Sequence, residues 1–468
     1  MKTYIKSVFV TIAVLLSALS CTKQLDEIRP QQSIDSDIAL QTSSGVINTL
    51  LGAYSTIAYG VTQTAGTLGT LYGTDYNLLG ELFVNTSDIT FSGSFTSYRD
   101  VANKNAVATN ALAASNWTAA YNAINICNNV EANIEVVDAA VKDQILGEAR
   151  FIRGIVYFEL IRFYAQPWTG GVSGANSQLG VPLVTTPTTS VETDLNVRRN
   201  TVGEVYAQII TDLTSAQSLL NESMDNGRAT SYASSAFLSR IYLAQGDWQK
   251  AAEAVNSVIS SGQYSLVPSI SQAFNNSSNT PEDIFAIQQN QQSNAGTANA
   301  GMATFYASLP GIGRGDMNIN ENHLLIYEAG DDRRELFYEG TGEKAGPLRS
   351  SKWTDRFANI PIIRLAEMYL TRAEANFRSG LQVGSATPTG DVNLIRNRSG
   401  LPAISITNVD QILLERRREL AFEGDRYNVI KRTQQNVGNR AYNDPKLILP
   451  IPQFEIDANP NLEQNPGY

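Results

Sequence analysis

The stretch YASSAFLSRIYLAQGDWQKAAEAVNSVIS, residues 232–260, sets the fold class. Its first half spaces Ala233, Ala236, Phe237, Ile241 and Leu243 as on one side of a helix, Gly246-Asp247-Trp248 breaks the run, and Ala251, Ala254, Val255 and Ile259 line a second helix. Apolar residues three and four apart share a helix face, and alanines on that face let two helices approach closely. The stretch predicts a tetratricopeptide-like helical hairpin that turns at Gly246.

Helical spacing recurs on both sides of this hairpin. Ile38, Val46, Leu50, Tyr54 and Ile57 form one stripe, Trp117, Tyr121, Ile124 and Cys127 a second, and Ile145, Ala149, Ile152, Val156, Leu160 and Phe163 a third, which Gln166-Pro167 should end. A helix over about 202–220 precedes the hairpin, and 362–379 and 409–423 carry helical patterns after it, the former without an evident partner. No regular repeat runs through the chain. Residues 59–80 and 83–98 lack a lasting period and read as irregular surface structure. The segment 268–359 is a long insert rich in Asn, Gln, Gly and aromatic residues, with a short strand expected near 284–288, and 446–452 reads as a short β-like run. Connections this long commonly carry function. The fold class is therefore mostly α, with helical hairpins and an irregular, partly β insert forming a ligand face.

The first residues have the shape of a secretory signal: Lys2 and Lys6, no acid, then an apolar run over 8–19. That run is shorter than the roughly 20 residues needed to cross a bilayer. Ala18 and Ser20 lead to Cys21, the arrangement in which a lipoprotein signal peptidase cuts before a lipid-bearing cysteine, so 1–20 is expected to be a signal peptide and 21–30 a tether lipidated at Cys21. Two or three acyl chains suffice for stable anchoring. Cys127, the other cysteine, is then left without a disulfide partner and is expected to be a buried apolar residue.

The formal charge of −10 disfavours non-specific nucleic-acid binding. Charged residues make up only 17% of the chain, so neutral amides and hydroxyls should cover much of a surface suited to uncharged, hydroxyl-rich ligands. His323 is the single histidine, and neither a metal cluster nor a nucleophilic triad can be assembled around it from any sequence pattern. No metal or cofactor is expected. Paired carboxylates of the glycosidase kind stay open, because 45 acids offer many pairs and no motif selects one. The mixed charges of 415–427, with Glu148, Arg150, Arg153, Arg364, Glu367, Arg372 and Glu374, read as structural ion pairs orienting helices.

Aromatic residues outside the helical stripes are the candidates for ligand contact: Tyr72, Tyr76, Phe83, Phe91, Phe95 and Tyr98 early in the chain, and Phe305, Tyr306, Trp353 and Phe357 in the insert. Sugar rings present apolar C–H faces to aromatic rings while amides and carboxylates bond the hydroxyls. Tyr72, Tyr76, Phe305, Tyr306 and Trp353 are the first set expected to touch ligand.

Four stretches in order also resemble the SusD-like (RagB/SusD) family. They are Leu25-Asp26 with Pro30 and then Gly52-Ala53-Tyr54; Trp117-Thr118-Ala119-Ala120-Tyr121 with Gly147-Glu148-Ala149-Arg150 and Tyr157-Phe158-Glu159-Leu160; Arg228-Ala229-Thr230 with Gly246-Asp247; and Glu415-Arg416-Arg417 through Glu419-Leu420-Ala421-Phe422-Glu423-Gly424-Asp425-Arg426-Tyr427, followed by Leu449-Pro450-Ile451-Pro452. The chain departs from the pattern at Asn428-Val429-Ile430, where the family usually carries Phe-Asp-Leu, and has no tryptophan in its early loops, so a starch-like aromatic platform does not carry over. The resemblance implies one SusD-like domain over 31–468 at the cell surface of the outer membrane, held by lipid. It further implies a non-catalytic protein that captures glycans, less often peptides, and passes them to a SusC-like TonB-dependent transporter. A tetratricopeptide scaffold for protein partners and a secreted hydrolase are the competing readings; the first lacks regular repeats and the second a recognisable catalytic grouping.

Overall fold

The computed structural model describes residues 39–63, 66–84, 87–188, 196–224, 227–295 and 300–468. In chain order these carry α1 (Ser43–Tyr59), the antiparallel pair β1 (Val61–Gln63) and β2 (Gly66–Leu68), α2 (Asp75–Leu82), β3 (Ile89–Phe91), α3 (Thr96–Ala102), α4 (Ala111–Ala132) and α5 (Lys142–Tyr164). There follow α6 (Val202–Leu219), α7 (Ser231–Gln245), α8 (Trp248–Ser260), β4 (Asp283–Ile287), α9 (Met302–Tyr306), β5 (Met317–Ile319), β6 (Phe337–Glu339), β7 (Leu348–Ser350) and β8 (Ile360–Arg364). The chain closes with α10 (Leu365–Ser379), α11 (Pro388–Arg398), α12 (Val409–Glu419), α13 (Arg426–Arg432) and α14 (Gln453–Ala458).

The helical hairpin forms where the sequence places it, and its caps show why. The Thr230 side chain accepts from Ala233 N to start α7, Gly246 takes a left-handed φ of 73° to end it, and Asp247 accepts from Lys250 N to start α8. The buried face of α8 is Ala251, Ala252, Val255 and Val258, so the inward stripe is rotated from the expected one and leaves Ala254 and Ile259 half-buried. Successive helices pack in a row: α1 on α4, then α4 on α5, α5 on α6, α6 on α7, α7 on α8 and α8 on α10, which also meets α11 and α12. Helix α10 thus has α8 and α11 as the neighbours its sequence did not reveal. The main apolar core draws on residues from Val46 to Leu462, and two smaller clusters lie where α10 meets α11 and α12 and where it meets α7 and α8.

Several expectations are corrected by packing. Residues 59–98 are not irregular throughout, since α2 and α3 form there, and the whole of α2 except Asn77 is buried. Gly80 allows this: a Cβ there would stand 2.5 Å from the carbonyl oxygen of Gly424. Helix α12 stops at Glu419 rather than running on to 423, because Phe422 and Gly424 adopt left-handed φ values of 63° and 79°. The buried Lys352 ammonium donates to the Glu419 and Ala421 carbonyls at 2.9 and 3.0 Å, satisfying the helix end. Residues 446–452 form no strand; Leu449 N donates instead to Phe163 O at the end of α5.

The charged motif is a buried ion network, as its composition suggested. Glu419 faces Arg333, Arg364 and Arg398, Arg364 also meets Glu282 and Glu423, and Arg416 pairs with Asp425 and Glu367. Burial alone would raise the Glu419 carboxyl, but Arg398, Arg364, Arg333 and Lys352 hold it well below the usual carboxylate range. These pairs tie α10, α11 and α12 to the insert. Their geometry is what makes charge tolerable inside the protein.

Candidate functional site

The insert and the early segment, far apart in sequence, are joined by one sheet. Its strand order is β3-β5-β7-β6, with Ile89 opposite Ile319 and Phe91 opposite Met317. The pairing brings the β3–α3 connection against α9 and the loop before β5. Phe91, Phe95 and Tyr98 then cluster with Phe305: Phe91 stacks on Tyr98 at 6.0 Å, and Tyr98 and Phe95 lie 5.1 and 6.2 Å from Phe305.

This cluster is half open. Phe95 is 39% exposed, Phe91 and Tyr98 are half-buried, and Phe305 is fully buried beneath them. The Arg314 guanidinium lies 4.4 Å from the Phe95 ring centroid. Arg314 also pairs with the buried carboxylate of Asp316, to which Lys344 Nζ donates at 2.8 Å. Lys344 Nζ reaches Ser92 Oγ as well, and Ser92 Oγ donates to Asn318 Oδ1 at 3.2 Å. Asn318 is in turn fixed by the buried Arg349 at 2.6 Å. The cluster is therefore an apolar face with charged and amide groups held rigidly at its edge.

A buried post holds the ring side in place. Tyr98 donates its hydroxyl to Asp75 Oδ1 at 2.6 Å, and Asp75 Oδ2 accepts from Thr70 N and Asn116 Nδ2 at 3.0 and 3.2 Å. Burial raises the Asp75 carboxyl above its ordinary value against these bonds, and burial together with Asp75 pushes the Tyr98 hydroxyl well up. The Tyr98 hydroxyl therefore keeps its proton and acts as a fixed donor.

The five aromatics first expected to touch ligand are all packed inside, each 0–4% exposed. Tyr72 donates to Ile155 O and Glu159 Oε1, and stands edge-on to Tyr76, which stacks on Phe163 at 5.7 Å. Tyr306 donates to Asn77 Oδ1 at 3.0 Å, and Trp353 stands edge-on to Phe274 with its Nε1 bonded to Phe422 O. None of them offers a free ring face in this structure. Phe305 alone of the five belongs to the half-open cluster, as its floor. Phe91, Phe95 and Tyr98 were visible in the sequence as loop aromatics, but Arg314, Asp316, Asn318 and Lys344 carried no signal of their own. Cys21 lies outside the described residues.

His323 is buried, 3.2 Å from Tyr327 Oη through Nε2, with Asp88 3.5 Å from Nδ1. Burial lowers its pKa despite Asp88. Cys127 is buried and free, and burial pushes its thiol up to about 12. Among the described residues, no three or more His, Cys, Asp or Glu side chains converge as metal ligands, and no helix is long and apolar enough to cross a membrane.

Comparison with known proteins gives this arrangement a family. Residues 47–243 match a SusD-like family model described as "Starch-binding associating with outer membrane", and residues 346–441 match the SusD family model. The chain belongs to the SusD-like family. It is 25% identical to SusD-like protein P2 of Formosa agariphila over 98% of this chain and 99% of that protein. It is 32% identical to the starch-binding protein SusD of Bacteroides thetaiotaomicron, over 31% of this chain and 32% of that one. A SusD superfamily crystal structure from Bacteroides thetaiotaomicron superposes with a TM-score of 0.79 at 26% identity, covering 91% of this chain and all of the other (100%). The surface glycan-binding protein A of Bacteroides fluxus, at 22% identity and a TM-score of 0.76, shares the fold. The SusD-like frame accounts for the helical row. The two matched segments lie on either side of most of the insert, which also supplies Phe305, Arg314 and Asp316 to the aromatic cluster.

Proposed function

We propose that this SusD-like protein binds an oligo- or polysaccharide at the cell surface without catalysis and hands it to a TonB-dependent outer-membrane transporter. The observation that carries the reading is the half-open cluster of Phe91, Phe95 and Tyr98 over Phe305, edged by Arg314, Asp316, Asn318 and Lys344. Rings of this kind meet the C–H faces of sugars, and the fixed polar groups bond hydroxyls. Relatives named as starch-binding and surface glycan-binding support a sugar over a peptide.

Lipid at Cys21 would keep the protein at the outer membrane, and a protein so placed concentrates ligand but needs a channel for import. Two experiments test the assembly. A Cys21→Ala protein should leave the membrane fraction in a host lacking the transporter. A tagged wild-type protein, purified in mild detergent from its own host, should bring the transporter with it. Binding itself is read by screening immobilised glycans with the purified chain; a panel of neutral and acidic polysaccharides giving no signal above a Phe95→Ala control would count decisively against the glycan reading.

A further inference from the structure

A groove runs beside α4, between the approach to α1 and residues 187–188. It has a volume of about 660 Å³ and shares no residue with the aromatic cluster on the sheet. Leu40, Ile126 and Pro187 supply apolar lining, and Ala39 to Gln41, the first described residues, stand at its wall.

Asn125, Asn129 and Asn133 line the same groove, spaced four residues apart along α4 and its C-cap. Asn129 Nδ2 donates to Asn125 O at 2.8 Å and Asn133 Nδ2 to Asn129 O at 2.9 Å, which pins both side chains to the helix. Among the described residues no group donates to the Oδ1 of either. Acceptors four residues apart on a helix lie about 6 Å apart, close to the roughly 6.6 Å between alternate N–H groups of an extended chain. Helix α4 already holds chain in this manner. Asn128 Nδ2 donates to Val184 O and Thr186 O at 2.9 and 3.2 Å, and Asn125 Oδ1 accepts from Thr188 N at 2.8 Å, so that segment is tied at every second residue.

Where the described chain starts points to the occupant. Ala39 stands at the groove wall, so the residues before it set out from there. In that part of the sequence Ile28, Pro30, Gln32 and Ile34 alternate with Arg29, Gln31 and Ser33. Alternation is the pattern of an extended chain covered on one side, and Pro30 turns Arg29 away from helical geometry. We propose that residues 28–34 of this chain dock extended in the groove, with Ile28 and Ile34 against its apolar lining and two backbone N–H groups on Asn129 and Asn133. With lipid at Cys21, the free link then shortens to residues 22–27, about 20 Å when fully extended, and holds this side of the body close to the membrane. That consequence rests on the lipid reading; the docking does not.

Hydrogen–deuterium exchange read by mass spectrometry tests the docking, on the full chain purified in mild detergent from a host lacking the transporter. Peptides spanning 28–35 are expected to exchange about tenfold or more slower than their intrinsic rates. Asn129→Leu combined with Asn133→Leu should return them to those rates, while peptides of α4 and α5 keep wild-type exchange. Ile34→Asp alters only the segment and should release it as well, with the body unchanged. Wild-type exchange of 28–35 at the intrinsic rate, or protection that survives both variants, would overturn the proposal. So would protection that arises only when the transporter is added, which would give the groove to the partner.

Discussion

Trp353 donates its indole Nε1–H to the carbonyl of Phe422 at 3.0 Å, across 69 positions of sequence. Phe422 sits in a left-handed conformation, so this bond and the neighbouring Lys352 contacts hold the turn that ends α12. Trp353→Ala is therefore expected to destabilise the protein by about 3–5 kcal/mol, the usual cost of emptying a large aromatic site. Denaturant unfolding followed by fluorescence measures it. An unchanged midpoint would show that the turn does not depend on the indole.

Phe95 and Tyr98 should separate binding from folding. Phe95→Ala removes an exposed ring, so glycan affinity should fall by about 1–3 kcal/mol with little change in melting temperature. Tyr98→Phe keeps the ring but takes a hydrogen bond from the buried Asp75, which should lower stability by about 1–3 kcal/mol. Calorimetric titration with the identified glycan and thermal unfolding of both variants decide the matter; identical phenotypes would mean the two rings do the same job.

Glu81 accepts from Gly424 N at 2.9 Å, and burial raises its carboxyl to about 8, well above the 4.5 of a free glutamate. The folded state then holds a proton that the unfolded state releases. Its contribution is complete below about 4.5 and is lost as pH rises to about 8, at roughly 1.4 kcal/mol per unit of pH. Glu81→Gln keeps an acceptor and removes the titration. Stability curves at pH 5 and pH 9 should converge for the variant and diverge for the wild type.

Glu419 has the opposite sign. Its carboxyl is held well below the usual range, so its stabilisation is present above that range and is lost as pH falls through the folded value. Glu419→Gln leaves Arg333, Arg364 and Arg398 facing a neutral amide. A loss of about 3–5 kcal/mol at neutral pH is expected, as for other broken buried pairs. Urea titration at pH 7 is the measurement, and a variant as stable as wild type would mean the network is no more than packing.

Helices were legible because their signals are local. The stripe Ile145 to Phe163, the caps around Gly246 and the stop at Gln166-Pro167 each act within a few residues, and α5, α7 and α8 follow them. Helix α2 was missed because its eight residues are nearly all buried, so no polar face exists to set a period. The charged motif 415–427 was readable as an ion network, but its partners Arg333, Arg364, Arg398 and Glu282 lie scattered through 282–398.

The sequence by itself determined the helical class, the hairpin and the family, since periodicity, capping and ordered motifs are properties of neighbouring residues. Only the tertiary structure decided which aromatics are core and which are surface. Tyr72, Tyr306, Trp353 and Phe95 look alike in a loop-rich sequence, and their difference comes from long-range pairing. Tyr72 is covered by α5 and by Phe237 of α7, Tyr306 and Trp353 by the turn at Phe422, while Phe95 is left 39% exposed beside Arg314. Burial of a ring depends on what the rest of the chain brings to its face, and contacts between distant parts of the chain leave no mark on the residues around it.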